Sequence, residues 1–508
     1  MCGIVMMIER HRPVDERALK DGLARLAHRG PDALGLRIET LSPGAQDATI
    51  HLGWGHTRLS ILDTDPRANQ PFDLGADTLV YNGEIYNYRQ LAARHWPGQA
   101  LRTSGDTEVL LRLLAAYGPY SLSEANGMWA FCWLDRSKRR LVLGRDAYGK
   151  KPLFYIQTDE RLVIASEIGA LLAAAGRTAQ AREPALASFL SEGWLFPDPT
   201  GNTHLEGVRE IRPGHCATLD LDRWTWSERQ VWTLPLQAPA PSADALPELL
   251  ADAVTQRLIS DRPVGLLLSG GIDSSLILSV LAATGQLDKV RCFVGEAGKS
   301  DDAAYAQACL DTLGLQATTV AMRYDAGGMQ DFLAVCKSQE KPFPLIGNVL
   351  GLPLLYAGMA GEGVRVALDG TGGDEIFGGY WKRYAGFALH DAAAANDNAW
   401  MMRVRDGAML PEPFQEWLLK NQSESSALPH PAPAREALDA ADQVFLEPAL
   451  AQAIACIIMA KRQSGLGRAV PDRIYAMRAP SLIRWGSDRK STRLNSSHVS
   501  QSRMPSSA

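Results

Sequence analysis

Over the first part of the chain the apolar residues fall in short runs separated by turn residues: CGIVMMI, ATIHLGWGHTRLSIL, TLVYNGEIYN, MWAFCWLD, RRLVLGRD and LVIAS. Runs of this length, bounded by Gly, Asn, Asp and Pro, predict β-strands. LKDGLARLAHR and EVLLRLLAAYG instead place apolar residues three and four apart, the spacing of helices with one buried stripe. Packed sheets covered by helices are the expected architecture.

Prolines and alanines accumulate at WTLPLQAPAPSADALPELL, which suits neither a central strand nor an uninterrupted helix. A linker is placed at residues 226–245, between a first domain at 2–225 and a second at 246–489. Beyond it the grammar becomes strand, loop, helix: VGLLL, SGGIDSS and SLILSVLAATG, then VRCFVG, then VRVALD before GTGGDEIFGGY. Such alternation predicts a doubly wound parallel α/β domain that binds ligands at the C-terminal ends of its strands. The final segment, STRLNSSHVSQSRMPSSA, is polar, Ser-rich and without apolar period, and residues 490–508 are expected to be disordered.

The chain has 508 residues, 46% hydrophobic and 21% charged, which fits a soluble multidomain protein. A net charge of -5 supplies no basic field for nucleic acid or an anionic membrane. Seven scattered cysteines with no CxxC argue against a disulfide framework or a zinc site and fit a reducing, cytoplasmic setting. Apolar stretches such as LILSVLAA and AIACIIMA are too short to span a bilayer.

In LLLSGGIDSS (Leu266 to Ser275) a buried strand delivers Ser269, Gly270 and Gly271 to the start of a helix opened by Ser274 and Ser275. Small residues let backbone N–H groups approach an anion, and the positive helix end faces the same point, so the segment reads as a phosphate cradle. It lacks the lysine of a Walker loop. LDGTGGDEIFGGY (Leu368 to Tyr380) sets Asp369, Asp374 and Glu375 among glycines, which suits Mg²⁺ and pyrophosphate oxygens. With Asp273 in the first loop, carboxylates from two adjacent strand ends would share one Mg²⁺. GRDAYGKK (Gly144 to Lys151) imitates the Walker pattern, but Lys151 replaces its last residue and PLFY reads as a turn into a strand. It is taken as structural.

Cys2 follows an initiator methionine that its small side chain makes removable. Once terminal, it carries a thiol beside an α-amine of ordinary pKa ~7.7–8.0, partly neutral near pH 7 and able to take the thiol proton. Nucleophile and base then sit on one residue, and no histidine is needed.

HRGPD (His28 to Asp32), HTRLSILD (His56 to Asp63), YNGEIYNY (Tyr81 to Tyr88) and SGDTE (Ser104 to Glu108) accompany Cys2 in order. With these motifs and SGGIDSS, residues 2 to about 489 resemble the glutamine-hydrolysing asparagine synthetase family. The resemblance implies an α/β multidomain fold: an N-terminal nucleophile αββα sandwich carrying a class II glutamine amidotransferase, then an ATP-pyrophosphatase domain of doubly wound type. It implies Cys2 as nucleophile on the glutamine amide and Asn82 with the Gly83 N–H as oxyanion hole. Arg58 would meet the substrate carboxylate, and Glu84 and Asp106 its ammonium. Leu268, Val294 and Gly370 would line the adenosine pocket with Asp369 beside them, Ser269 to Ser275 would hold pyrophosphate, and Asp273 and Asp374 would bind Mg²⁺. The implied reaction converts aspartate, glutamine and ATP to asparagine, glutamate, AMP and pyrophosphate through a Cys2 thioester and an acyl-adenylate, with ammonia led along a sheltered path in a homodimer.

Two positions depart from the family pattern. Thr371 stands where a glutamate takes part in adenylation, and Lys341 where an acid is common, so another carboxylate acceptor, a sugar acid or secondary metabolite, is the alternative. The match also stops near Arg489. Lys490 to Ala508 is expected to be a foreign or frameshifted tail that truncates the second domain, which opens a third reading: a glutaminase joined to a non-synthetic nucleotide module.

Overall fold

The computed structural model describes residues 1–44, 48–192, 198–233, 243–297, 302–322, 328–341 and 350–377. The expected tail at 490–508 and the second domain beyond Phe377 lie outside these residues. Residues 1–232 and 254–369 fall in one compact unit, while 233, 243–253 and 370–377 fall in another.

The strands in chain order are β1 (Gly3–Arg10), β2 (Ala33–Leu41), β3 (Ile50–Arg58), β4 (Phe72–Leu74), β5 (Asp77–Ile85), β6 (Gly127–Asp135), β7 (Arg140–Arg145), β8 (Phe154–Gln157), β9 (Arg161–Ala165), β10 (Arg209–Glu210), β11 (His215–Asp220) and β12 (Thr225–Gln230). They form two six-stranded antiparallel sheets, ordered β10-β8-β9-β1-β3-β2 and β12-β11-β7-β6-β5-β4. The period-2 pattern of β1 explains its central place. Ile4, Met6 and Ile8 join a core shared with Val80, Cys132, Leu141 and Leu219 of the other sheet. Val5 and Met7 face the opposite way, into a layer with Leu19 and Leu171 from the helices Glu16–Ala24 and Ile168–Ala175. On the outer face of the second sheet, Leu79, Tyr81 and Trp129 pack with Leu91 and with Val109, Leu110, Leu111, Leu113 and Leu114 of the helices Tyr88–His95 and Asp106–Tyr117. The layers are therefore helix, sheet, sheet, helix, the expected αββα sandwich.

The predicted strand runs all appear, but β2 was not legible: its alternating, half-exposed side chains are those of an edge strand, with no continuous apolar run. β12 pairs with β11 through Gln230, so the chain leaves the sheet later than the expected linker start at 226. The described residues of WTLPLQAPAPSADALPELL resume as the short turn Ala243–Ala245 and the helix Leu246–Arg257.

Strands β13 (Val264–Leu267), β14 (Val290–Glu296), β15 (Ala317–Ala321) and β16 (Val366–Leu368) form a parallel sheet ordered β15-β14-β13-β16. One face packs Leu278, Leu281, Ala306 and Leu310 from two helices, the other Tyr356 and Met359 from a third, so the sheet is wound on both sides. Strand order reverses at β13, between β14 and β16, which makes the ends of β13 and β16 the topological switch point where such sheets bind ligands.

Candidate active site

Cys2 enters β1 at the edge of the buried sandwich, its Sγ 3.7 Å from the Leu59 carbonyl. Its own carbonyl accepts from Arg29 Nε at 2.9 Å, and Arg29 Nη1 donates to Glu167 Oε1 at 2.8 Å. The next residue must be small: a Cβ on Gly3 would lie 2.6 Å from Thr57 Oγ1. These contacts fix the backbone that presents the thiol.

Strand β5 supplies Asn82, Gly83 and Glu84. Asn82 is buried, and its Nδ2 has no hydrogen-bond partner; the same is true of Glu84 Oε2. A Cβ on Gly83 would strike the Met128 carbonyl, so close strand pairing here demands glycine. Buried orphaned polar atoms are costly, and two of opposite character on one strand mark a place for a ligand with both an acceptor and a donor.

Asp106 opens the helix Asp106–Tyr117, and its Oδ2 accepts from Tyr81 Oη and the Ile85 N–H, each at 2.8 Å. Burial pushes its carboxyl up to about 6, against the pull of these donors. Burial, and then the neighbouring Asp106, raise the Glu84 carboxyl well above the carboxylate range, while Lys151 opposes them. Two carboxyl groups held away from water in mutual repulsion would both gain from a cation.

Arg58, at the end of β3, is buried with Cys2 among its electrostatic neighbours. Its Nη1 donates to Asp65 O at 2.9 Å and Asn69 Oδ1 at 2.8 Å; Nη2 donates to Leu62 O at 3.3 Å and to Asp63 O. Both outer nitrogens of the guanidinium expected to meet the substrate carboxylate are thus engaged by the loop 62–69. His56 Nε2 donates to the Tyr81 carbonyl at 3.1 Å, and burial lowers its pKa to about 4, so the ring is neutral.

Lys151 was not legible as part of this site. GRDAYGKK forms no helix: Gly144 and Arg145 end β7, and the chain turns into β8. Asp146 accepts from the N–H groups of Tyr148, Lys150 and Lys151 at 3.0, 2.9 and 2.9 Å, and Arg145 donates to the carbonyls of Gly149 and Lys151 at 2.8 and 2.9 Å. The loop delivers the buried Lys151 ammonium to within 2.9 Å of Met1 Sδ.

In the parallel sheet, Leu268 and Val294 are buried at the ends of β13 and β14. Gly270 takes φ 75°, and a Cβ there would lie 2.5 Å from Ala306 N. Ser269 and Ser274 face each other with their hydroxyls 3.1 Å apart, and Gly271 N–H donates to Ser269 Oγ at 3.3 Å. Gly271 caps the helix Ile272–Ala283, whose first turn carries Asp273 and whose Ser275 Oγ lies 3.5 Å from Cys309 Sγ. Asp369 Oδ2 accepts from Tyr356 Oη at 3.4 Å at the end of β16. Gly370 and Asp374 belong to the second described unit, Asp374 exposed in the short helix Gly373–Phe377. Among the described residues no three acids, histidines or cysteines cluster as a metal site. The Asp273 carboxylate stands beside a glycine-lined helix start, and oxygen donors of this kind are the type that a hard cation with phosphate and water ligands takes.

Residues 1–232 match the glutamine amidotransferase domain family, and residues 245–494 the asparagine synthase family. A Methanocaldococcus jannaschii protein with the provisional name asparagine synthetase (glutamine-hydrolyzing) 2 is 30% identical, over 77% of each chain. The amidase chry2 of Gibberella zeae is 30% identical over 76% of this chain and 58% of its own. Asparagine synthetase (glutamine-hydrolyzing) 1 of Bacillus subtilis is 29% identical over 75% and 59%. The chain therefore spans less than two thirds of the latter two. No described helix is long and apolar enough to cross a membrane.

Proposed function

The chain belongs to the glutamine-hydrolysing asparagine synthetase family, and from that premise we propose that it is an ATP-dependent amidotransferase that takes ammonia from glutamine to amidate a carboxylate. The observation that carries this reading is the pair of orphaned buried atoms, Asn82 Nδ2 and Glu84 Oε2, on β5, whose Glu84 has Cys2 among its electrostatic neighbours.

Loss of Met1 frees the Cys2 amine. The amine takes the thiol proton, the thiolate bonds to the side-chain amide carbon of glutamine, and Asn82 Nδ2 with the Gly83 N–H receives the negative oxygen. The amine returns its proton to the leaving nitrogen, ammonia departs, and water cleaves the thioester to glutamate. Glu84 and Asp106 hold the substrate ammonium, which draws both acids back to their ionised forms. Arg58 contributes positive charge near the substrate carboxylate; a two-pronged contact would require loop 62–69 to release its outer nitrogens.

Ser269 to Ser275 would receive the ATP pyrophosphate at the helix start, with Leu268 and Val294 against the adenosine and Asp369 and Gly370 at the neighbouring strand end. Mg²⁺, with Asp273 as a ligand, would neutralise pyrophosphate charge. Adenylation makes the acceptor carboxylate electrophilic enough for ammonia to displace AMP. Aspartate is the first acceptor to test. Thr371 and Lys341, together with similarity to proteins named as amidases, favour a second reading in which the acceptor is a different carboxylic acid.

The test has two arms. Cys2→Ala should abolish glutamate release from glutamine while sparing any ammonia-driven formation of AMP; loss of both would contradict separate sites. An acceptor screen for AMP and pyrophosphate then ranks aspartate against other acids, and signal without aspartate would displace the first reading.

A further inference from the structure

We propose that Lys151 is a positioning residue of the glutamine site: its buried ammonium holds the α-amine of the processed Cys2 in the neutral form that accepts the thiol proton. This rests on the amidotransferase reading above and adds to it a group that the motifs did not assign.

Two geometric observations carry the inference. The loop GRDAYGKK has no nucleotide-binding geometry, yet it is locked by the buried pair Arg145 and Asp146, which between them bind the backbone of Tyr148, Gly149, Lys150 and Lys151. Such a built loop delivers one side chain, Lys151, whose Nζ sits 2.9 Å from the Met1 sulfur. When Met1 is removed that sulfur goes, and the ammonium remains with Cys2 among its electrostatic neighbours.

The charges around this point come from five elements. Arg29 lies in the turn after the first helix, Glu84 on β5 and Asp146 after β7; farther out, Arg58 on β3 acts on Cys2 and Asp106 at its helix start acts on Glu84. Burial and then the Arg29 charge lower Lys151 to about 8, while Glu84, Asp146 and Cys2 pull it up, so it remains largely charged at neutral pH. The α-amine of the unprocessed chain, in the same neighbourhood, is lowered to about 4, first by burial and further by Arg29 and Lys151, against Cys2 and Glu84. A cation beside an amine disfavours its protonation, so the amine stays a base at lower pH. The thiol S–H then breaks and an N–H forms on Cys2 itself, while Lys151 keeps all its protons.

The experiment compares Lys151→Met, Lys151→Gln and Lys151→Arg in the full chain, with Met1 removal checked by mass. Two pH profiles are read: kcat/KM for glutamate release, and the rate of Cys2 alkylation by iodoacetamide, which needs no glutamine. In Lys151→Met and Lys151→Gln the acid limb of both profiles should move up by about one pH unit, lowering kcat/KM about tenfold on that limb. Lys151→Arg should restore it. A fall in rate with the acid limb unmoved, or no rescue by Arg, overturns the inference and leaves Lys151 with a packing role. If the wild-type chain with terminal Cys2 released no glutamate, the amidotransferase reading would fail instead, and the alkylation profile would still decide the role of Lys151.

Discussion

Arg29 and Glu167, 138 residues apart in the chain, form a buried ion pair at 2.8 Å, and the same guanidinium donates to the Cys2 carbonyl at 2.9 Å. His28 also reaches Glu167 at 3.0 Å. The pair therefore ties the nucleophile's backbone to the start of the helix Ile168–Ala175. Removing one partner of a buried pair leaves an uncompensated charge, which costs about 3–5 kcal/mol. Arg29→Met should lower unfolding stability by that order in denaturant titration and depress glutamine hydrolysis; an unchanged midpoint would mean that the pair is structurally idle.

Asn82 Nδ2 has no internal bond to lose, so Asn82→Ala should spare folding. If it faces the developing oxyanion, kcat for glutamine hydrolysis should fall by about 10²–10³ with little change in KM. A rise in KM alone would assign Asn82 to ground-state binding.

Asp106 has its carboxyl raised from 3.8 to about 6, so the folded protein keeps a proton that the unfolded chain releases between those values. The associated stability is present below about pH 4 and is lost as pH rises through 6. Asp106→Asn, whose Oδ1 can still accept from Tyr81 and Ile85, should therefore raise Tm at pH 7, with the gap closing by pH 4. In the unaltered protein a substrate ammonium favours the ionised acid, so KM for glutamine should rise as pH falls below about 6; a flat KM would remove Asp106 from the binding site.

Gly270 combines φ 75° with a backbone amide 2.5 Å from any added Cβ. Gly270→Ala should cost about 1–3 kcal/mol and weaken ATP binding measured by calorimetry, whereas glutamine hydrolysis at the Cys2 site should persist. Equal loss at both sites would indicate general unfolding rather than damage to the phosphate loop.

Much of this architecture could be read from local pattern. The runs behind β1, β3, β5, β6 and β7 carry strand signals within a few residues, and the Ser269–Ser275 loop announces itself because strand, small residues and helix start are contiguous. The edge strand β2, half exposed and without a continuous apolar run, hid its character. Arg58 was legible as a candidate, but its engagement by Asp65, Asn69, Leu62 and Asp63 was not, because carbonyl directions in a loop leave no trace in residue type.

By itself, then, the sequence determined the order of motifs, the two sheet grammars and the residue types able to do the chemistry, since those depend on neighbours along the chain. Tertiary structure alone decided that Arg29 meets Glu167, that the Asn82 Nδ2 and Glu84 Oε2 atoms are buried and unpaired, and that a loop resembling a phosphate binder delivers Lys151 to the terminus. Those facts depend on which groups lose water together when distant strands close on each other, and burial of that kind converts an ordinary asparagine, acid or lysine into a poised one.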